Sequence, residues 1–365
     1  MFKRKILSKL EAWKRDERHK PLILRGARQV GKTTVVNEFG SQFDNYLYFN
    51  LEMNESVRLF EMDIPLNDLV NMLFASLGKS QREGSTLIFI DEIQNSPKTI
   101  ALLRYFYEQR PDLYVIAAGS LLENLVDVNV SFPVGRVMYM ALRPCSFYEF
   151  LGAIGKTNLL AVLSQKPEYT VVFHEQLIHQ FNQYTIIGGM PEAVTTFLNT
   201  KQIGKVLSIQ RRIVDEYKAD MVKYALLADK PKIRECFESI PSQLSREYKK
   251  FTFSTVRPGG RGRDYAGSLQ WIEDAGIIRR CYNTETTELP LDGNRIQSEF
   301  KVYMSDIGLL VSMLEDGTQS SILRGELYGY KGAIFENLIA DILGKMGRKL
   351  YYYHKNGGIE LDFLM

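Results

Sequence analysis

The first 145 residues alternate between short apolar runs and amphipathic stretches. Apolar runs without polar alternation are typical of strands buried on both faces of a parallel sheet, and the stretches between them are typical of helices. An amphipathic helix is predicted over residues 3–16. The predicted strands are Pro21–Leu24, Tyr46–Leu51, Leu87–Ile90, Tyr114–Ala118 and Val137–Leu142. This order predicts an α/β domain with a parallel five-stranded sheet.

The pattern changes after Pro144. Residues 146–227 favour helices, with a break at Gly188-Gly189. Residues 231–290 predict short helices followed by a hairpin, interrupted by a loop rich in glycine and arginine at 257–263. A helix is expected at Lys331–Met346, followed by the strands Lys349–His354 and Ile359–Leu364. We therefore expect mostly helical and then mixed α+β structure after the first domain.

Composition and charge exclude several classes of protein. Of the 365 residues, 45% are hydrophobic and 24% are charged, which is the balance of a globular protein. No apolar run approaches the length of a transmembrane helix, and the charged start does not resemble a signal peptide. The three cysteines lie far apart, which argues against a disulfide framework and favours the cytoplasm. A net charge of +3 is too small to indicate nucleic-acid binding by itself.

A glycine-rich loop follows the first predicted strand. Its sequence, Gly26-Ala27-Arg28-Gln29-Val30-Gly31-Lys32-Thr33, fits the phosphate-loop pattern GxxxxGK[ST] between a strand and a helix. The glycines let backbone N–H groups close around phosphate oxygens. Lys32 would bring positive charge to the β and γ phosphates, and Thr33 a hydroxyl ligand for Mg²⁺. We expect a P-loop NTPase core that binds nucleotide through this loop, with Thr34 included.

Two acids end the strand Leu87–Ile90. In P-loop ATPases the first acid of this strand engages Mg²⁺, and Asp91 fits that position. Glu92 is then placed to polarise the attacking water as a general base. Together with the phosphate loop, these acids predict a Mg²⁺-dependent nucleotide triphosphatase or a nucleotide switch.

Two further positions are candidates for the catalytic site. Ser120 follows the strand Tyr114–Ala118 at the carboxyl edge of the sheet, where it would orient the water or contact the γ-phosphate; a helix N-cap explains it equally well. Arg136 precedes the next strand, and an arginine from a neighbouring subunit commonly stabilises transition-state charge in such enzymes. A structural ion pair is the alternative for Arg136. The competing arginines are Arg104, Arg110 and Arg143.

The motifs taken together resemble one family. They are Gly26–Thr34, Ile90–Gln94, Ala118–Ser120, Gly135–Arg136, Leu142–Phe150, Gly188–Glu192, Tyr303–Leu309 and Lys331–Asn337. The set resembles a widespread family of prokaryotic AAA-type ATP-binding proteins with a C-terminal domain of unknown function, and it extends over essentially the whole chain. The resemblance implies ATP and Mg²⁺ as ligands, with adenine as the base.

The resemblance also implies a domain order. The expected divisions are an ATPase core at 1–145, a helical segment at 146–205, a winged-helix-like module at 206–290 and an incomplete segment similar to restriction-endonuclease folds at 291–365. In related ATPases a Gly-x-Pro after the core packs near the adenine, and Pro191 in Met190-Pro191 matches it. A helix-ending turn explains the same residues equally well.

Basic residues gather in the predicted winged-helix-like module. Residues 246–263 carry six Lys and Arg against the single acid Glu247. Arg257, Arg261 and Arg263 are the candidates for contacts with double-stranded DNA. A solvated loop on a protein-binding module is the alternative, since fold analogy cannot decide between the two. A second copy of the chain is the other partner considered.

Three carboxylates are expected to approach one another near the end of the chain. Glu336 lies on a predicted helix, and Glu360 and Asp362 lie on one face of a predicted strand. Converging carboxylates would bind Mg²⁺. Endonuclease-like relatives add an acid and a lysine on a further strand, which this sequence does not reach, so nuclease activity is not expected. Solvated acids on an edge strand are the alternative.

The sequence is best interpreted as an ATP-binding protein that hydrolyses ATP to drive conformational change, in association with DNA or a protein. The runner-up is a nucleotide-gated switch with negligible turnover. Glu92 favours hydrolysis, because a pure switch has little need of a general base. An ATP-regulated nuclease and a small-molecule kinase are less consistent with the C-terminal half.

Overall fold

The computed structural model of the chain describes residues 2–119, 133, 135–165, 167–224, 229–246, 249–324, 330–355 and 358–365. It contains two compact units, Arg4–Arg143 and Pro144–Met365. Within the described ranges, no helix has the length and apolar character needed to span a membrane.

The N-terminal unit is built on a parallel five-stranded sheet, as the sequence predicted. The strands are β1 (Leu22–Arg25), β2 (Asn45–Asn50), β3 (Thr86–Asp91), β4 (Leu113–Gly119) and β5 (Met138–Ala141). Their order in the sheet is β2-β3-β4-β1-β5, and every neighbouring pair is parallel. The carboxyl ends of β1 and β3 therefore lie at the same edge, with β4 between them.

Both faces of this sheet are buried, which explains the continuous apolar runs. Leu22 and Leu24 belong to one hydrophobic core, whereas Ile23 belongs to the core on the other face. Residues of α1 and α2 join the first core, and residues of the next three helices join the second. The helices are α1 (Ile6–Lys14), α2 (Lys32–Gly40), α3 (Asn54–Phe60), α4 (Leu66–Ser76) and α5 (Pro97–Gln109).

The C-terminal unit begins with helices. They are α6 (Phe147–Ala153), α7 (Thr157–Leu163), α8 (His174–Ile187), α9 (Pro191–Thr200) and α10 (Ile203–Tyr224), with a 3-10 helix at Pro167–Phe173. The long helix α10 packs against α8 and α9. This agrees with the helical pattern of residues 146–227.

Three helices and a hairpin follow. They are α11 (Lys230–Leu244), the short α12 (Phe253–Val256), α13 (Gly262–Asp274), β6 (Ile278–Thr284) and β7 (Arg295–Met304). Helix α13 packs against α11, and β6 pairs antiparallel with β7. The rest of the unit consists of α14 (Ile307–Ser312), α15 (Thr318–Arg324), α16 (Lys331–Lys345), β8 (Leu350–His354) and β9 (Glu360–Leu364).

One sheet joins the two regions that the sequence analysis divided at 290/291. The order is β7-β6-β8-β9, with β6 parallel to β8 and β8 antiparallel to β9. The division falls in the connection between β6 and β7. Because these two strands pair with each other and β6 pairs with β8, the hairpin belongs to the same sheet as the last two strands.

Candidate functional site

The phosphate loop turns between β1 and α2 with a backbone that most residues avoid. Gln29 has a φ of 64° and Gly31 a φ of 90°, both in the left-handed region. A Cβ on Gly26 would lie 2.2 Å from the carbonyl oxygen of Leu142, the residue after β5. The first glycine of the motif is therefore required by the close approach of the loop to the neighbouring chain segment.

Lys32 begins α2 with its ammonium folded back on the loop. Its Nζ donates hydrogen bonds to the carbonyl oxygens of Gly26 (2.9 Å) and Ala27 (3.0 Å). Burial lowers the pKa of Lys32 to about 8, against the opposing charges of Glu92 and Asp91. A buried cation with so few anionic contacts is suited to a polyphosphate.

Thr33 and Asp91 meet at the carboxyl edge of the sheet. The Thr33 hydroxyl donates a 2.6 Å hydrogen bond to Oδ2 of Asp91. Asp91 is buried, and this burial raises the pKa of its carboxyl although the Thr33 hydrogen bond lowers it. Tyr48 on β2 also contacts Asp91, and burial and the Asp91 charge raise the pKa of its phenol. A hydroxyl and a carboxylate side by side are hard oxygen donors that fit Mg²⁺.

Glu92 is held by its neighbours in the chain. Its backbone has a φ of 54°, and its N–H donates to Oδ1 of Asp91 at 3.1 Å. The side-chain amide of Gln94, in the 3-10 helix Ile93–Asn95, donates to Oε2 of Glu92. The structure thus fixes the orientation of the carboxylate that the sequence analysis proposed as general base. Gln94 was missed as a functional residue, although it lies in the quoted motif Ile90–Gln94.

Arg4 forms a hydrogen bond with the backbone of the phosphate loop, and the sequence analysis did not identify it. Its guanidinium is buried, and it donates to the carbonyl oxygens of Val30 (3.0 Å) and Arg143 (2.6 Å). One side chain from the start of the chain therefore connects the loop to the segment after β5. A charged N-terminus carries no signal for this contact, because its partners are backbone atoms distant in sequence.

The other loop residues have structural or surface positions. Val30 is fully buried and belongs to the core beneath the loop. Arg28 lies 4.0 Å from Glu52, and Thr34 is on the exposed side of α2. Gln29 and Arg28 each keep a half-buried side chain.

Arg136 lies at the opposite edge of the sheet. It precedes β5, whose first residue, Met138, pairs with Leu22 at the start of β1. The phosphate loop follows the end of β1, so Arg136 and the loop are separated by the length of the strand. Arg136 pairs with Glu108 at 3.3 Å. A role in the site of a neighbouring subunit stays a prediction.

The remaining sequence candidates of this unit differ in their surroundings. Ser120 lies outside the described residues. Arg104 shares Glu108 with Arg136, and Arg110 pairs with Asp112 at 2.7 Å. Burial lowers the pKa of the Arg143 guanidinium.

Pro191 lies in the C-terminal unit as the first residue of α9. The glycines before it pack tightly, since a Cβ on Gly189 would lie 2.1 Å from the carbonyl oxygen of Cys145. The N–H of Gly189 donates to Oδ2 of Asp306 at 2.6 Å. These contacts explain Gly188-Gly189 as packing residues, and the proposed place of Pro191 near adenine stays a prediction.

Several residues of the basic cluster pair with acids. Lys249 contacts Glu336, Lys250 contacts Glu299 at 2.7 Å, and Arg257 contacts Glu235 at 2.7 Å. Arg261 and Arg263 are exposed at the N-terminal end of α13, where Arg263 lies 3.8 Å from Asp264. The local excess of positive charge is therefore smaller than the sequence suggested, and Arg257 is partly neutralised.

The C-terminal carboxylates do converge, and a lysine lies among them. Lys301 on β7 contacts Glu336 at 2.8 Å, Glu360 at 2.9 Å and Asp362 at 3.2 Å. Glu336 on α16 is buried, whereas Glu360 and Asp362 are partly exposed on the edge strand β9. Among the described residues, no group of three or more His, Cys, Asp or Glu side chains is arranged to hold a metal ion.

Comparisons with known proteins agree with the first unit. Residues 18–151 match the family described as AAA domain, and residues 178–320 match a domain of unknown function (DUF8612). A search of curated proteins found no significant match.

A solved structure shares the fold at low sequence identity. The Walker-type ATPase PABY2304 of Pyrococcus abyssi is 15% identical with a TM-score of 0.52, covering 86% of this chain and 96% of that chain. The ORC1 protein of Aeropyrum pernix, solved in complex with DNA, is 12% identical with a TM-score of 0.32, covering 86% and 91%. The second likeness is too low to carry an argument. Residues 18–151 therefore match an AAA domain and have the P-loop fold, and residues 178–320 match a domain of unknown function.

Proposed function

We propose that the N-terminal unit binds Mg²⁺-ATP and hydrolyses its β–γ bond. The observation that carries the proposal is the 2.6 Å hydrogen bond between Thr33 and Asp91, which places two oxygen donors beside the phosphate loop. Bound Mg²⁺ would neutralise charge on the phosphate oxygens. Thr33 and Asp91 would hold it, and Lys32 and the loop N–H groups would hold the phosphates.

Glu92 is the proposed general base. It accepts a proton from water while the water oxygen attacks the γ-phosphorus, and the bond from that phosphorus to the β–γ bridging oxygen breaks. ADP leaves with the bridging oxygen, and the proton passes from Glu92 to solvent or phosphate. The hydrogen bond from Gln94 supports this role because it restricts the carboxylate to one orientation.

Steady-state ATP turnover with Mg²⁺ tests the proposal. Glu92→Gln keeps the shape of the side chain but removes the base, so turnover should fall by at least about 100-fold while ATP still binds. Glu55→Gln, at an exposed position of α3, is the matched control and should retain turnover. Tight ATP binding without turnover by the unaltered chain would reject hydrolysis and favour a nucleotide-gated switch.

A second candidate function is association with duplex DNA through α13. The order of α11, α12, α13 and the β6–β7 hairpin supports the winged-helix-like module expected from the sequence, in which the last helix would enter the major groove. Arg261 and Arg263 are exposed at its start, and Ala266 and Gly267 are exposed on the following turn. Small residues beside arginines allow a phosphate backbone or a groove wall to approach closely.

Fluorescence anisotropy with a labelled duplex at several salt concentrations tests this association. Arg261→Ala/Arg263→Ala should weaken binding at least about tenfold and reduce the salt slope by about 2, since two phosphate contacts are lost. Lys9→Ala/Lys205→Ala removes the same charge from exposed positions outside α13 and should change binding little. Equal losses in both variants would indicate general attraction to the protein charge, and the α13 interface would be rejected.

A further inference from the structure

Lys301 lies at the centre of a charged cluster in the C-terminal unit. Its ammonium contacts one carboxylate oxygen each from Glu336 on α16 and from Glu360 and Asp362 on β9, at 2.8, 2.9 and 3.2 Å. An ammonium has three N–H donors, so these three oxygens satisfy all of them. The contacts connect three elements that are distant in sequence.

Glu336 has two further hydrogen-bond partners. Lys249 donates to its Oε2, and the Tyr303 hydroxyl donates to its Oε1. The cluster thus contains two lysines and three carboxylates. Burial would raise the pKa of Glu336, but Lys301 and Lys249 outweigh burial and lower it. The charged form of this buried carboxylate is therefore the stable one.

Lys301 is almost completely buried. Its side chain is 3% exposed, and its ammonium lies 4.9 Å from the centre of the Tyr352 ring. Burial alone would lower the pKa of Lys301, but Glu336 and Glu360 outweigh it and raise the pKa. The ammonium is held in place by both charge and packing.

The resemblance to restriction-endonuclease folds implies a Mg²⁺ site at these carboxylates, and the geometry does not fit one. Mg²⁺ binds oxygens at about 2.0–2.1 Å in an octahedron and keeps several waters. Here the oxygens are spaced for N–H···O hydrogen bonds around a nitrogen that already occupies their centre. A cation would have to displace a buried lysine.

We infer that Lys301 supplies from within the chain the positive charge that a divalent cation would bring to Glu336, Glu360 and Asp362, and that the cluster fastens the edge strand β9. Strand β9 is mostly exposed and pairs with β8 alone, with a break in register between Tyr351 and Tyr353. Two of its five residues bind Lys301. The lysine therefore adds two side-chain contacts to an edge strand.

Mn²⁺ titration followed by electron paramagnetic resonance tests the first part. Asp91→Asn is the starting protein, because it removes the proposed metal ligand of the N-terminal unit. The Asp91→Asn variant should bind no Mn²⁺. Asp91→Asn/Lys301→Met should gain about one bound Mn²⁺ per chain, and adding Glu360→Gln should remove it. The inference would be overturned if Asp91→Asn binds Mn²⁺ and adding Glu360→Gln abolishes that binding. It would also be overturned if Asp91→Asn/Lys301→Met folds but binds no Mn²⁺.

Hydrogen–deuterium exchange tests the second part without altering a buried residue. Glu360→Gln/Asp362→Asn changes two partly exposed side chains, at 41% and 59%, and should fold. We expect amide exchange in β9 to rise about tenfold. Glu285→Gln/Glu288→Gln, at exposed positions between β6 and β7, is the matched control and should leave β9 unchanged. Equal exchange in both variants would overturn the fastening role. Neither test depends on ATP hydrolysis.

Discussion

The hydroxyl of Thr33 donates a 2.6 Å hydrogen bond to the carboxylate of Asp91, 58 positions away in the sequence. The strands that lead to these residues, β1 and β3, are not neighbours, because β4 lies between them. Their meeting therefore depends on the strand order and on the helix that starts at Lys32. The two oxygens meet because β1 and β3 lie on either side of β4 with their carboxyl ends at the same edge of the sheet.

Gln94 should affect turnover more than ATP binding. Gln94→Ala removes the hydrogen bond to Glu92, so the carboxylate samples more orientations and kcat should fall about tenfold. KM for ATP should change little, because Gln94 does not lie in the phosphate loop. Gln81→Ala, at an exposed position of the same unit, is the control. If kcat is unchanged in Gln94→Ala, the hydrogen bond has no part in positioning the base.

Gly26 should not tolerate a side chain. In Gly26→Ala the new Cβ meets the carbonyl oxygen of Leu142 at 2.2 Å, so the loop must shift. We expect a loss of about 2–4 kcal/mol in the free energy of unfolding and much weaker ATP binding. Denaturant unfolding and a fluorescent ATP analogue measure the two effects. Gly204→Ala meets nothing within 4 Å and should be neutral or slightly stabilising; the idea fails if both variants behave alike.

Arg4 should contribute to both stability and nucleotide binding. Arg4→Met keeps much of the apolar stem but leaves the carbonyl oxygens of Val30 and Arg143 without their charged donor. The expected cost is about 3 kcal/mol in the free energy of unfolding, with weaker ATP binding because the loop loses its support. Arg15→Met, whose side chain is 79% exposed, should change stability by no more than about 0.5 kcal/mol. Unchanged ATP affinity in Arg4→Met would contradict the proposed support of the loop.

A second buried lysine predicts how stability depends on pH. Lys345 contacts Asp341 (2.7 Å), Asp306 (3.1 Å) and the Tyr184 hydroxyl (2.8 Å). Two carboxylates share one ammonium, and Oδ1 of Asp341 has no hydrogen-bond partner in the part of the chain described. Burial raises the pKa of Asp341 to about 7, with Lys345 opposing and Asp306 adding to the rise.

The folded protein therefore keeps a proton on Asp341 that the unfolded chain loses near the ordinary aspartate pKa of 3.8. The contribution of Asp341 to the free energy of unfolding is fully present below that pH. It is lost as the pH rises towards 7, and the free energy of unfolding then falls by up to about 1.4 kcal/mol per pH unit. Asp341→Asn should flatten this part of the stability curve, measured by denaturant unfolding between pH 4 and 8. Asp215→Asn, on α10, should leave the slope unchanged. An Asp341→Asn curve parallel to that of the unaltered protein would refute the assignment.

The sequence predicted the sheet well because its strands are buried on both faces. Leu87–Ile90 is apolar without interruption, and such a run has few interpretations other than a central strand. Residues of the phosphate loop and Asp91 were also identifiable, since their chemistry depends on a short motif. Boundaries shifted slightly, as at β2, which spans Asn45–Asn50 and was predicted at Tyr46–Leu51.

Contacts between distant residues could not be predicted in the same way. Arg4 and Lys301 act through partners that are set by the fold, and no spacing rule connects Lys301 to Glu360. The pairing of Lys249 with Glu336 also removed charge that a local count assigned to DNA contacts. The net charge summed over a short segment predicts the local charge of the folded protein only where the opposing acids lie nearby in sequence.

The shared sheet limits how the C-terminal unit can be divided. Strand β6 pairs with β7 on one side and β8 on the other. A fragment ending at residue 290 would keep β6 but lose both partners, so two rows of unpaired N–H and C=O groups and the buried Ile278 and Cys281 would face water. Such a fragment would be prone to aggregate through that strand. The solubility of the segment that contains α13 therefore depends on β7 and β8, which both follow residue 290.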